Sequence, residues 1–320
     1  MQNGQLKLFS GSAHPELARE IADQLGISLG RSKLGRFSDS EVSFQINENI
    51  RGTDVFIVQP TCMPVDPNFV ELCVMIDAFR RSSASRITAV MPYYGYARQD
   101  RKDKPRVPIS AKLVANLLSA AGANRVLTMD LHKAQIQAFF DIPVDHLFAA
   151  PVFIDYLRGR TESNVIIVSP DAGRVKVAER YAMQLHADLA IVHKRRSHTG
   201  FKTVEAKEVV GDVAGRVCVI VDDMIDTAGT VCAAAEQLVD RGAERVIAAT
   251  THGLFSGPAL ERLTASPIEK VIVTDTLPLP DGIDPDFIEV LSVAPLIARA
   301  IGAVFADTSV SEIFGGENLS

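Results

Sequence analysis

Short runs of aliphatic and β-branched residues, each closed by a polar turn, recur between helical patterns along this chain, and that alternation leaves few folds open. The runs are DVFIVQ from Asp54, RITAVMP from Arg86, RVLTMDL from Arg125, NVIIVSP from Asn164, RVCVIVDD from Arg216, RVIAATTH from Arg245 and EKVIVTDT from Glu269. None alternates strictly between apolar and polar, so each suits a strand covered on both faces, with the helical segments between them as crossovers of a parallel sheet. The class is α/β. One helix is legible in detail: beyond Thr230, the residues Val231, Ala234, Ala235, Leu238 and Val239 follow the i, i+3, i+4, i+7, i+8 spacing of a face packed on a sheet, and Gly242 stops it.

The pattern occurs twice. RGTDVFIVQP, a helical segment and SRITAVMP in the first half match AGRVCVIVDD, a helical segment and ERVIAATT in the second, which predicts a duplicated domain. A chain of 320 residues holds about two domains. The expected division is 1–149 and 150–320, with the linker near PVDHLFAAPVF, where Pro143 and Pro151 bracket a stretch of weak periodicity. LSVAPLIARAIGAVFADTSV reads as a last helix and a polar tail. A hydrophobic fraction of 47% with 22% charged residues excludes a disordered chain. No apolar run reaches the ~18 residues of a membrane helix, and the opening residues lack a basic region followed by an apolar core, so an unexported, cytoplasmic protein without a membrane partner is expected. The net charge of −6 gives no global positive field for nucleic acid. Cys62, Cys73, Cys218 and Cys232 form no CxxC pair and read as reduced thiols rather than a zinc site.

Chemistry concentrates at strand ends. VIVDDMIDTAGT closes one strand and opens the helix just described, where open α/β sheets bind ligands. Thr227, Ala228, Gly229 and Thr230 can turn backbone N–H groups and two hydroxyls toward an anion, a phosphate above all. Asp222, Asp223 and Asp226 crowd three carboxylates beside it, and sugar hydroxyls and magnesium are their natural partners. The corresponding VQPTCMPVDP of the first half lacks this cluster. YARQDRKDKPRVP concentrates Arg98, Arg101, Lys102, Lys104 and Arg106, which fits a polyphosphate, or else a solvated loop compensated by Asp100 and Asp103. HKRRSHTGFK, with Lys194, Arg195 and Arg196, reads as a mobile loop able to close over a transferring phosphoryl group. MDLH and SPDAGR add Asp130, His132 and Asp171 at two further strand ends. GRFSDSEVSF reads as an extended segment in which Phe37, Asp39 and Glu41 share one side, suited to a purine or to an ordinary strand.

GRFSDSE, PYYGYARQDRKDKPRVPISAKLVANLL, MDLH, QIQAFFDIPVD, SPDAG, HKRR and VDDMIDTAGT, in this order, resemble the ribose-phosphate pyrophosphokinase family over nearly the whole chain. The resemblance implies two tandem phosphoribosyltransferase-type domains with central parallel sheets flanked by helices, the first lacking and the second carrying the ribose 5-phosphate site. It implies a homohexamer built from dimers. The implied reaction transfers the β,γ-diphosphoryl group of MgATP to the C1 hydroxyl of ribose 5-phosphate, leaving AMP. By matching positions, Asp222, Asp223 and Asp226 to Thr230 look like the ribose 5-phosphate site. Phe37, Asp39 and Glu41 look like the adenine set, and Arg98, Gln99 and Asp103 resemble ATP-holding residues. His132 and Asp171 match magnesium-associated positions, Lys194 and Arg196 the catalytic cations, and Ser309 and Ser311 the contacts of a regulatory phosphate.

Some positions depart from the family pattern. Arg174 follows Gly173 where a second glycine is common, Lys133 and Ala134 replace the usual Ala and Ser or Glu after DLH, and Ser40 stands where glycine is frequent. Two rival readings remain to be separated. A phosphoribosyltransferase that consumes phosphoribosyl pyrophosphate would account for the acidic-threonine-glycine motif but not for the second domain, YARQDRKDKPR or HKRR. A noncatalytic regulatory homologue would be expected to carry a disrupted cation loop, and Lys194 and Arg196 are present. No GxxxxGK[ST] occurs, which excludes a P-loop kinase.

Overall fold

The computed structural model describes residues 4–158, 164–199 and 202–314, with the side chains of 194–207 outside that description. The chain forms two compact units. One comprises Met1–Phe148, Thr276–Pro278 and Ser292–Ser320, the other Ala149–Asp275 and Leu279–Leu291. The C-terminal segment thus clusters with the first unit, where a single cut at 149/150 assigns it to the second.

The first unit runs β1 (Leu6–Ser10), α1 (Pro15–Gln24), β2 (Ser32–Arg36), β3 (Val42–Ile46), β4 (Asp54–Val58), α2 (Val65–Arg81), β5 (Arg86–Met91), α3 (Ser110–Ala121), β6 (Arg125–Met129) and β7 (Val144–Leu147). Its sheet has the order β1-β4-β5-β6-β7, parallel throughout, while β2 and β3 pair only with each other. The stretch read as a linker therefore contains β7, an edge strand too short and too polar in VDHL to announce itself. Every residue of β4 is buried, as a doubly covered strand requires. Helix α2 lays Phe69, Leu72, Met75, Ile76 and Phe79 into the core. The Phe79 ring lies 4.5 Å from Phe9 and 5.5 Å from Phe44, which anchors the β2–β3 hairpin.

The second unit runs α4 (Ala150–Arg158), β8 (Val165–Ser169), α5 (Val175–Leu185), β9 (Asp188–Thr199), β10 (Lys202–Val210), β11 (Val217–Ile225), α6 (Gly229–Asp240), β12 (Arg245–Gly253), α7 (Ala259–Thr264), β13 (Lys270–Thr274) and β14 (Ile288–Leu291). Its sheet order is β10-β9-β8-β11-β12-β13-β14, antiparallel only between β9 and β10. Helix α8 (Ala294–Phe305) belongs to the first unit, and a 3-10 turn, Val310–Phe314, follows it. On α6 the predicted face is buried at Val231, Ala234, Ala235 and Leu238, but Val239 is 43% exposed. At 3.6 residues per turn Val239 sits about 80° round from Val231, beyond the stripe that meets the sheet.

Each unit thus places five core strands in one order, first to fifth in sequence, with a hairpin after the first strand that stands apart from the sheet in the first unit and extends the sheet through β8 in the second. That shared order is what a duplication would leave. Among the described residues no helix is long and apolar enough to cross a membrane.

Candidate functional site

In the second unit the chain leaves β8 toward β9 on one side and returns as β11 on the other, so the direction of winding reverses between β8 and β11. Such a switch opens a crevice at the C-terminal strand ends. Two turns border it. SPDAGR joins β8 to α5, and Asp226–Ala228 joins β11 to α6.

The second turn is bent for a purpose. Ala228, the N-cap of α6, has φ 62°, a left-handed conformation that costs a non-glycine residue on the order of 1 kcal/mol. The bend leads directly into the first turn of α6, whose N–H groups have no partner within the helix and carry the positive end of its dipole. Thr227, Gly229 and Thr230 are exposed there, which leaves their hydroxyls and amides open to solvent, an arrangement suited to an anion. Neighbouring segments hold the bend: Ser256 N–H donates to Asp226 O at 2.9 Å and Arg262, on α7, donates to Thr227 O at 2.9 Å. Nothing in the sequence flags Arg262, which reaches the cradle only through the fold.

Behind the cradle lie the acids. Asp223 is buried and Asp222 largely so. Burial, followed by the neighbouring charge of Asp223, pushes the Asp222 carboxyl well above its ordinary range, while Arg174 opposes the rise. The Arg174 guanidinium pairs with Asp223 Oδ2 and sits 3.3 Å from Asp222 Oδ1. Asp171, exposed at the head of the same turn, accepts the Gly173 N–H at 2.8 Å. These contacts place Asp171 and the residues from Asp222 to Thr230 together at the C-terminal end of two neighbouring strands, β8 and β11.

Strand β9 pairs with β8 as far as Ser169↔Ile191 and continues past the end of β8, paired with β10 through Lys194↔Lys207 and Arg196↔Glu205. HKRR is therefore strand rather than the expected loop, paired with β10 on one side beyond the end of β8. The side chains of Lys194, Arg195 and Arg196 lie outside the described residues.

In the first unit the long connection from β5 to α3 carries Arg98, Gln99 and Asp103, all exposed. Gln99 is pinned: Ser110 Oγ donates to its Oε1 at 2.6 Å and its own N–H donates to Tyr96 O at 2.9 Å. Gln135 Nε2 donates to Asp100 at 3.2 Å, joining this connection to the segment after β6. His132 lies in that segment, whose entry is fixed by Asp130 at φ 38° and by the Leu131 N–H donating to His146 Nε2 at 2.9 Å. His146 is a second residue the sequence reading passed over, hidden in the weakly periodic β7.

Phe37, Asp39 and Glu41 do not run along an extended strand. They occupy the tip between β2 and β3, where Ser40 at φ 74° reverses the chain, Phe37 N–H donates to Glu41 O, and Glu41 N–H donates to Asp39 Oδ1. Phe37 is 59% exposed, and Arg36 donates to Ser40 O at 3.0 Å. The three side chains share a loop, not a strand face. Ser309, just before the last 3-10 turn, and Ser311, within it, bring their hydroxyls to 2.7 Å.

Among the described residues no group of three or more His, Cys, Asp or Glu side chains gathers as a metal cage. Asp171 and His132 each bring a single side chain, so a magnesium ion using either would draw its remaining ligands from water and phosphate oxygens. Burial pushes the thiols of Cys62, Cys73 and Cys218 up to about 11, so they are protonated at neutral pH and serve as core rather than nucleophiles.

Comparison with known proteins places this geometry in context. Residues 6–122 match the N-terminal domain of ribose phosphate pyrophosphokinase, and residues 201–315 the phosphoribosyl synthetase-associated domain. A ribose-phosphate pyrophosphokinase of Clostridium perfringens is 53% identical over 312 residues, 97% of each chain. One from Wolinella succinogenes is 53% identical over 308 residues, covering 96% of this chain and 98% of that one. The crystal structure of phosphoribosylpyrophosphate synthetase from Mycobacterium smegmatis superposes with a TM-score of 0.89 at 44% identity, covering 95% of this chain and 99% of that one.

Proposed function

The chain belongs to the ribose-phosphate pyrophosphokinase family, and from that premise we propose how its side chains carry out the reaction. It is a transferase that forms 5-phosphoribosyl 1-pyrophosphate. The 1-hydroxyl oxygen of ribose 5-phosphate attacks the β-phosphorus of ATP, the bond from that phosphorus to the α-phosphate oxygen breaks, and AMP leaves while the hydroxyl loses its proton. Little of this needs a covalent partner on the protein; positioning and charge stabilisation supply the acceleration.

The observation that carries the reading is the left-handed bend at Ala228, which feeds exposed Thr227, Gly229 and Thr230 into a helix N-terminus beside partly buried acids. The amides and hydroxyls take the 5-phosphate, and Asp222, Asp223 and Asp226 accept from the ribose hydroxyls. Phe37 stacks on adenine while Asp39 and Glu41 accept from its amino edge, and Arg98, Gln99 and Asp103 hold the triphosphate and ribose of ATP. Lys194 and Arg196 stabilise charge growing on the transferred group and on the leaving AMP. Asp171, directly or through water, and His132, through water or nucleotide, would hold magnesium, which when bound neutralises phosphate charge. The working assembly is a homohexamer of dimers in the cytoplasm, with Ser309 and Ser311 contributing to a regulatory phosphate site.

Mixing protein, MgATP and ribose 5-phosphate tests this reading. AMP and 5-phosphoribosyl 1-pyrophosphate are the expected products. ADP would mean transfer of the γ-phosphoryl group alone, and neither nucleotide product would point to a binding homologue.

A further inference from the structure

Arg174 is built into the acid pair rather than turned to solvent. Its side chain is only 13% exposed, and those of Asp222 and Asp223 are 18% and 5% exposed. The guanidinium meets both carboxylates at once, and the Asp223 N–H donates to Asp222 Oδ1 at 2.8 Å. One oxygen of Asp222 is thus fixed from two sides. Two adjacent carboxylates this far from water repel and resist ionisation unless a cation is present, and a planar fork of donors can serve both without choosing between them. Arg174 also roots the arrangement in the neighbouring turn, because it is the N-cap of α5 and its backbone N–H faces Asp171 O at 3.5 Å.

We propose that Arg174 is a positioning residue for the ribose site: its guanidinium balances and orients the Asp222–Asp223 pair, so that the carboxylates are aligned for sugar hydroxyls before substrate arrives. This rests on the assignment of those acids to ribose 5-phosphate. Arg174 acts through them and need not touch the pentose. Without the guanidinium the pair would be left to bound cation or substrate to balance; this chain carries its counter-charge within the fold.

The test compares Arg174→Ala, Arg174→Lys and Asp222→Asn in the full-length protein, measuring kcat and both KM values, with ribose 5-phosphate-induced shifts in melting temperature as a direct binding readout. Arg174→Ala should raise the ribose 5-phosphate KM about tenfold and leave the ATP KM within about twofold, as expected for lost pentose binding. Lysine restores charge but not the fork, so Arg174→Lys should fall between, about threefold above wild type. If Arg174→Ala does not fold, an unchanged pentose KM in Arg174→Lys overturns the proposal. An unchanged pentose KM in folded Arg174→Ala, or equal rises in both KM values, overturns it as well. Asp222→Asn separates the premises: a raised pentose KM there with none in the arginine variants removes only the positioning role, whereas no effect of Asp222→Asn removes the site assignment itself.

Discussion

The two units share a five-strand parallel order and differ in what fills the crevice between the first two core strands. In the second unit that crevice presents a helix N-terminus and an acid pair. In the first, protein occupies the same place. Glu71, projecting from α2, accepts from Ser12 N–H at 2.7 Å, from Ser12 Oγ at 2.8 Å and from Gln59 Nε2 at 2.8 Å. Gln59 in turn accepts the Ala13 N–H at 3.0 Å, and a Cβ on Gly11 would lie 2.2 Å from its Oε1. An internal carboxylate does for the turn after β1 what a substrate anion is proposed to do for the turn after β11. The same frame thus accommodates both arrangements, and on the proposed reading the ribose 5-phosphate site is set by a few turn residues of the second unit.

The hairpins that follow the first core strand differ as much. β2–β3 is short and detached and carries Phe37 at its tip, whereas β9–β10 is long, joins its sheet through β8 and carries HKRR. The largest effect should follow from emptying the second of charge. Lys194→Ala and Arg196→Ala should each lower kcat by about two to four orders of magnitude with KM values little changed, the range for losing a preorganised contact to a phosphoryl transition state. Rapid-quench measurement of AMP release gives the number. Near-normal kcat in both variants would reduce HKRR to a paired basic strand.

Next in size is the contrast between the crevices. Glu71→Ala should destabilise the protein by about 2–4 kcal/mol in urea denaturation, because Ser12 and Gln59 lose a buried acceptor. Thr230→Val should leave stability within about 0.5 kcal/mol and raise the ribose 5-phosphate KM about tenfold, leaving that for ATP in place. If the two variants exchanged phenotypes, the filled crevice would be the working one.

The frame was legible because burial on both faces leaves its mark in composition: all seven aliphatic runs are strands, and β4 and β8 are buried at every residue. β1, β7 and β14 escaped notice because edge or short strands carry mixed polarity, as VDHL and IEVL do. The cradle was legible because Asp, Thr and Gly crowd into nine positions of sequence, from Asp222 to Thr230. Its supports were not. Arg262 and Arg174 reach it across 35 and 48 residues of sequence separation, and no local pattern encodes a contact made by strand order. The GRFSDSE segment misled for a local reason: alternation implied a strand, but a serine in the left-handed region turns the chain back.

A smaller effect concerns the acid pair. Because the folded protein binds a proton on Asp222 more tightly than the unfolded chain does, stability contributed by that proton is greatest below the ordinary carboxylate range. It declines as pH rises through the raised folded-state pKa and is level beyond it. Asp222→Asn should abolish this decline and be the more stable protein at neutral pH, while losing pentose affinity. Melting temperatures of both proteins from pH 4 to 8 decide the matter. Parallel curves would mean that Arg174 already balances the pair completely.

The smallest predicted change tests the other hairpin. Ser40 holds φ 74°, and its N–H donates to Phe37 O at 3.0 Å, so the tip is set by the backbone whatever the side chain. A non-glycine residue there is strained by roughly 1–2 kcal/mol. Glycine removes that strain but loosens the unfolded chain by about 0.4–1 kcal/mol. The balance favours Ser40→Gly by about 0.5–1 kcal/mol, a rise of roughly 1–3 °C in melting temperature for a unit of this size. Because Arg36 still holds the carbonyl of residue 40 and Asp39 still accepts the Glu41 N–H, the loop keeps its shape and the ATP KM should stay within about twofold. A loss of stability would mean that the serine hydroxyl contributes more than the strain costs. A large rise in ATP KM would mean that the tip works by being held stiff, and that this hairpin, like the crevice of the second unit, trades stability for function.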